Sequence, residues 1–223
     1  MRATLAASAD GLEADVCLTA DGRLVLLHDP WLATCTTARG WVHATRWDAL
    51  RGARLRDRGV LTHESPMLLE ELLDATPREL ALQFDVKAYG DPALTRATAA
   101  AVARVVLGRA DHERVEVLSF HVVACEEAVR HGLSARLVTW ADYAPDALAR
   151  WARCAGVAGV CVEHFLLHVE LVERLRGHGL SVSTGTINDP TLALRAAALG
   201  VDAITTDRPS ALRQELAALA SAA

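Results

Sequence analysis

Leu80-Ala-Leu-Gln-Phe-Asp-Val86, followed by Lys87, is a short apolar run of strand length. Asp91-Pro92 then opens a pattern with apolar residues at three and four spacing that continues to Leu107, and Val115-Glu-Val-Leu-Ser119 is apolar again. Strand, helix and strand in that order, joined by a connection long enough for a crossover, predict two parallel neighbours in one sheet. The same alternation extends in both directions. Strand-like runs lie at Leu12–Leu18, Ala135–Thr139, Val157–Val162, Leu180–Thr184 and Ala203–Thr206. Helical patterns lie at Leu68–Ala75, Val122–His131, Pro145–Cys154, Leu167–His178, Pro190–Leu199 and Pro209–Ala222. Ser65-Pro66, Asp91-Pro92 and Asp189-Pro190 each place a capping side chain before a proline suited to a first helical turn. The class predicted is α/β with a parallel sheet.

One segment departs from the alternation. Thr19-Ala-Asp-Gly22 is a tight turn between Ala14–Leu18 and Arg23–Leu27, so a β-hairpin leads into His28-Asp29-Pro30. Residues 29–65 then read as a polar, arginine-rich excursion holding Trp31, Trp41 and Trp47. No low-complexity linker divides the 223 residues, which predicts a single domain over 1–223. A closed (β/α)8 barrel takes about 250 residues, roughly 31 per unit, and seven units are countable here. The expectation is a TIM (β/α)8 barrel lacking its first strand in the chain as given, with Ala3–Ser8 as the body of the first helix and Met1 an internal methionine.

Composition narrows the function. The net charge of −5 argues against nucleic acid and against anionic membranes as partners. No apolar stretch is long enough for a membrane span, and the first residues lack the profile of a signal peptide. The five cysteines contain no C-x-x-C pair and read as reduced thiols, which predicts a cytoplasmic protein. Lys87 is the only lysine among 23 basic residues, and a compact ammonium is not interchangeable with a planar guanidinium where geometry is tight.

The residues that carry chemistry follow from strand periodicity. Glu13-Ala-Asp15 puts two carboxylates on one face of a strand, and hard oxygen donors at that spacing suit Mg²⁺ or Ca²⁺. A solvent-facing strand edge would show the same spacing. Asp85 and Lys87 repeat the arrangement on another strand, where Asp85 completes a three-carboxylate set; a salt bridge at a strand end is the plainer reading. His28 stands beyond the hairpin, free to donate a proton to a leaving alkoxide or to make a local bond to Asp29.

Taken in order, these pieces resemble the glycerophosphodiester phosphodiesterase family. The carrying segments are Gly11-Leu-Glu-Ala-Asp-Val16, Thr19-Ala-Asp-Gly22, Leu24-Val-Leu-Leu-His-Asp29, Ser65-Pro-Met-Leu-Leu-Glu-Glu-Leu72, Phe84-Asp-Val-Lys87, Val117-Leu-Ser-Phe120, Gly179-Leu-Ser-Val182, Thr186-Ile-Asn-Asp189 and Gly200-Val-Asp-Ala-Ile-Thr-Thr-Asp-Arg-Pro209. The resemblance implies metal-dependent hydrolysis of glycerophosphodiesters to glycerol 3-phosphate and an alcohol. By it, Glu13, Asp15 and Asp85 would bind a divalent cation, Mg²⁺ or Ca²⁺, and His28 would be the acid or base. Lys87 would steady the phosphate, with Phe120 lining the substrate cleft.

Three departures accompany it. The family's His-Arg-Gly and Pro-Glu-Asn-Thr motifs occur nowhere in the sequence, Asp85 stands where glutamate is usual, and Gly185 stands where tryptophan often precedes Thr186. They keep two alternatives open: a non-catalytic relative that binds metal and phosphate, and an aldolase-type barrel forming a Schiff base at Lys87. His164 and His168 have a spacing that zinc sites use, but helix-surface histidines show it as readily. Glu163 ends a strand with no assigned role, Trp140 is a further cleft candidate, and Asp207 is expected to anchor the turn before Pro209.

Overall fold

The computed structural model describes residues 9–88 and 90–222. The expected helix at Ala3–Ser8 and any strand ahead of it lie outside the described residues. The chain forms two compact units, one spanning Glu13–Ser134 and the other running from Ala135 onward with the residues just before Glu13.

In the first unit, β1 (Gly11–Leu18) pairs antiparallel with β2 (Leu24–Leu26) in the register Val16↔Leu26, Cys17↔Val25 and Leu18↔Leu24. The turn between them closes on its own side chains. The Thr19 hydroxyl donates to Asp21 at 2.8 Å and accepts from the Arg23 amide at 2.9 Å, while Gly22 takes the left-handed φ of 75° that suits a residue without Cβ. Asp21 also accepts from the Trp47 amide at 2.9 Å, so the turn grips the excursion that follows.

That excursion is folded. It contains α1 (Leu32–Cys35), a 3₁₀ turn at Val42–Ala44, α2 (Trp47–Leu50) and a small hairpin of β3 (Arg56–Asp57) and β4 (Val60–Leu61). Leu32, Val42, Leu50 and Ala53 bury against Cys17, Val25 and Leu27 of the first hairpin. A segment that reads as polar therefore owns a core, because Leu32, Val42, Leu50 and Ala53 face the same strands while Trp31, Trp41, Val60 and Leu61 stay exposed.

β5 (Met67–Leu68) pairs with β2, and α3 (Leu69–Ala75) starts one residue later than the sequence periodicity places it. Leu68 is spent on the sheet, and its amide donates to Glu71 at 2.8 Å, which closes the helix start. β6 (Ala81–Val86), α4 (Pro92–Leu107), β7 (Val115–Ser119) and α5 (Val122–Arg130) form the predicted strand-helix repeat. β6 and β7 run parallel with Phe84 opposite Val117 and Asp85 opposite Leu118. Asp91 caps α4 by accepting from the Ala93 and Leu94 amides. The strand order is β7-β6-β1-β2-β5, and the Lys87 amide donates to the Val16 carbonyl at 3.0 Å beside β1.

The second unit repeats the parallel pattern: β8 (Ser134–Thr139), α6 (Pro145–Ala155), β9 (Gly159–Val162), α7 (Val169–Gly177), β10 (Ser181–Thr184), α8 (Pro190–Ala198), β11 (Ala203–Ile204) and α9 (Pro209–Ala222). β9 lies between β8 and β10, with β11 beyond β10, all parallel. Gly159 is required there, since a Cβ would collide with the Ser181 carbonyl. β11 is shorter than the expected Ala203–Thr206. The Thr205 amide still donates to the Thr184 carbonyl of β10, but the Thr205 carbonyl accepts from the Ile187 amide and the Thr206 hydroxyl donates to Asn188, so the regular ladder ends at Ile204. Among the described residues no helix is long and apolar enough to cross a membrane, and no cysteine forms a disulfide.

Arg114 anchors the start of β7. Its guanidinium, nearly buried, donates to the carbonyls of Leu73, Pro77 and Leu80, to the Thr76 hydroxyl and to Asp111. Arg114→Ala leaves several of those acceptors without a donor and should cost about 2–4 kcal/mol in urea unfolding. Arg114→Lys should recover less than half of that, because a point charge cannot reproduce the fork.

Candidate active site

β1 and β6 each bring their polar residues to one place. In β1 the alternation that buries Val16 leaves Glu13 and Asp15 on a common face. In β6 the run around buried Phe84 ends with Asp85, also buried, and Lys87 just beyond. One carboxylate oxygen from each of Glu13, Asp15 and Asp85 lies within 4.8 Å of the others.

Three carboxylates that close repel one another, and the Lys87 ammonium sits among them. It donates to Asp85 Oδ2 at 2.5 Å and pairs with Asp15 Oδ1 at 3.0 Å. Burial acts to lower the Lys87 pKa, and Asp85 with Asp15 outweighs it, holding the ammonium above its ordinary value. For Asp85 burial dominates, pushing its carboxyl up to about 6, with Lys87 opposing. An amine held charged by two carboxylates is the opposite of the depressed lysine that a Schiff base needs, so the aldolase alternative loses its nucleophile. The Phe120 ring, at the end of β7, lies 5.5 Å from the same ammonium, a cation–π contact that fixes the lysine from its open side.

The Asp85 carboxylate is half satisfied. Oδ2 accepts from Lys87, but Oδ1 is buried with no hydrogen-bond partner among the described residues. An orphaned buried carboxylate oxygen is costly unless something of positive charge meets it. With Glu13 and Asp15 within reach, the donor set is three hard oxygens, which fits a hard divalent cation. The shorter Asp85 in place of glutamate still reaches the cluster.

His28 stands two residues beyond β2, largely exposed, with Nδ1 at 3.3 Å from Asp29 Oδ1. The His28 ring thus lies beside the Asp29 carboxylate, the local partner that the sequence offered. The sequence reading paired Lys87 with Asp85 alone. Its bridge to Asp15 and its contact with Phe120 were not foreseen, though Phe120 directly after Ser119 places it at the neighbouring strand's end.

Other candidates resolve elsewhere. His168 Nδ1 accepts from the Leu171 amide at 3.3 Å, so half of the His164/His168 pair is a helix cap. Asp207 accepts from Asn188 at 2.8 Å and anchors the turn. Trp140 is widely exposed after β8. A Cβ on Gly185 would meet the Glu163 carboxylate at 2.8 Å, so the space a side chain at 185 would enter belongs to Glu163.

Solved structures show the class. A candidate glycerophosphoryl diester phosphodiesterase from Silicibacter pomeroyi DSS-3 superimposes with a TM-score of 0.83 at 28% identity over 98% of this chain and 87% of the other. A glycerophosphodiester phosphodiesterase from Parabacteroides distasonis does so at 0.80 and 25% identity, covering 95% and 85%. An Oleispira antarctica phosphodiesterase, solved with the product sn-glycerol-3-phosphate, gives 0.81 at 22% identity over 93% and 85%. The fold is the (β/α)8 barrel of these enzymes. Residues 1–211 match the glycerophosphoryl diester phosphodiesterase family, and the chain belongs to it. The Bacillus subtilis protein YqiK, itself uncharacterised, is 33% identical over 84 residues, 36% of this chain, and the match spans 35% of that curated relative's length.

Lys87→Met should destabilise the protein by about 2–4 kcal/mol in EDTA, since it strands Asp85 and Asp15 without a counter-charge. Adding Asp85→Asn should restore most of that loss, measured by urea unfolding of both variants. Equal stability of Lys87→Met and the unsubstituted protein would show that the ammonium is not what holds the carboxylates together.

Proposed function

We propose that the chain, as one barrel domain, hydrolyses glycerophosphodiesters to glycerol 3-phosphate and an alcohol with the help of a divalent cation, Mg²⁺ or Ca²⁺. The observation that carries this reading is the meeting of Glu13, Asp15 and Asp85, with Asp85 Oδ1 buried and unmet. Family membership agrees with it, and so does the product bound in the Oleispira relative.

Glu13, Asp15 and Asp85 would hold the cation, which when bound neutralises charge gathering on the phosphoryl oxygens. Lys87, already pinned by its carboxylates and Phe120, is positioned to orient the phosphate as a fixed point charge. His28, whose Nδ1 lies 3.3 Å from Asp29 Oδ1, would make the proton transfer at the leaving alkoxide. Phe120 supplies the apolar wall beside that lysine. In this reading the protein works in the cytoplasm, with its cysteines as thiols.

A second reading rests on one sequence fact: the His-Arg-Gly motif that the family resemblance implies does not occur among these 223 residues. In that reading the protein binds metal and phosphate without turnover. Glycerophosphocholine hydrolysis, followed as glycerol 3-phosphate released, separates the two. Turnover should appear with Mg²⁺ or Ca²⁺ and vanish with EDTA, and His28→Ala should lower kcat by about a hundredfold or more with cation binding intact. Calorimetric cation binding with no product would favour the binding role. Neither binding nor product would end both readings.

A further inference from the structure

The folded excursion combines a local excess of positive charge with exposed apolar side chains. Residues 31–65 hold six arginines against three acidic residues, a formal +3 inside a chain of net −5. They also hold four large exposed apolar side chains: Val60 at 68%, Leu61 at 54%, Trp31 at 43% and Trp41 at 42%. Trp31 and Trp41 are joined by a backbone bridge and pack edge to face with centroids 5.0 Å apart. Exposed apolar groups clustered on one small basic segment mark a contact surface more than a solvated loop.

The β3–β4 hairpin shows how these groups are arrayed. Its two-residue turn is Arg58-Gly59, with φ of 48° and 82°. Arg58 is the one non-glycine with positive φ among the described residues, and asparagine, aspartate or glycine would take that position with less strain. A long cation is thus held at a tip where its backbone is disfavoured, a pattern that points toward use of the side chain. Neither Arg58 nor Arg39 makes an ion pair or hydrogen bond with any described residue. Directly opposite residues in an antiparallel pair share a face, so Leu61 projects to the same side as Arg56. Arg56 in turn lines a groove of about 310 Å³ with Trp31, Thr36, Thr37 and Arg39. Two arginines and an aromatic edge therefore border one groove, and the hairpin that carries Arg56 also carries the exposed Leu61 and Val60.

We propose that residues 31–65 dock the protein onto an anionic lipid surface, with Val60, Leu61 and the Trp31–Trp41 pair entering the headgroup boundary and Arg39, Arg56 and Arg58 meeting lipid phosphates. The combination selects lipid. Tryptophan edges and aliphatic tips gain by entering the interface, and basic groups beside them are drawn by anionic headgroups. A nucleic acid would satisfy the arginines but offers Val60 and Leu61 nothing to bury against. Net acidity elsewhere does not oppose the docking: a flat surface meets one face, and charges more than a Debye length away are screened. The proposal does not depend on the catalytic reading.

Co-sedimentation with phosphatidylcholine vesicles, alone and mixed with phosphatidylglycerol, tests it. Binding should appear on the mixed vesicles, weaken as salt rises, and be at least about tenfold weaker on phosphatidylcholine alone. Tryptophan emission should shift to shorter wavelength on binding, and Trp31→Phe with Trp41→Phe should remove the shift. Arg39→Glu with Arg58→Glu, and separately Val60→Ser with Leu61→Ser, should each reduce binding about tenfold while circular dichroism and the unfolding midpoint stay unchanged, since all four side chains are exposed. No binding to the mixed vesicles, equal binding to both compositions, or full binding by both surface variants would overturn the proposal. So would sedimentation equilibrium showing a dimer that Val60→Ser/Leu61→Ser dissolves, because a second copy would then be the occupant of this face.

Discussion

Three carboxylates, two from within β1 and one from near the end of β6, with an oxygen of each within 4.8 Å of the others, are the constraint around which the first unit is organised. Such a cluster is unfavourable in any fold unless positive charge reaches it without bringing bulk water along. Lys87 meets that requirement because it is on the same strand as Asp85 and one strand away from Asp15. The Lys87 amide bonded to Val16 keeps β6 alongside β1, and Phe120 on β7 closes the ammonium's remaining side. Sheet order and site chemistry are thus one arrangement: each of three strands contributes a group that works only if the other two are in register.

The hairpin of β1 and β2 extends that arrangement to His28. Its register, Val16 opposite Leu26, makes the length of the Thr19–Gly22 turn decide where the histidine emerges. Asp21 ties the same turn to Trp47, so catalytic candidate and excursion share a foundation. The apolar cluster beneath, from Cys17 to Ala53, holds the two together from inside.

Much of this was legible in the chain. Period-two alternation located Glu13, Asp15 and Asp85 on their strands, and proline with a capping side chain located helix starts such as Asp91-Pro92 almost to the residue. What stayed hidden had physical reasons. Leu68 could be read as helix or strand because its partner, Val25, is 43 positions away. The excursion looked unstructured because its core residues are few and pack mainly on other elements. Lys87's bridge to Asp15 depends on strand order, which a linear pattern does not contain. Net charge concealed a local reversal of sign, since a sum over the whole chain cannot show where its parts lie.

The excursion's private core has an evolutionary consequence. Because Leu32, Val42, Leu50 and Ala53 pack on the hairpin and not on β6 or β7, this segment can be lengthened, trimmed or exchanged while the strand ends that carry the carboxylates stay where they are. A contact face on this segment can then change independently of the carboxylate cluster.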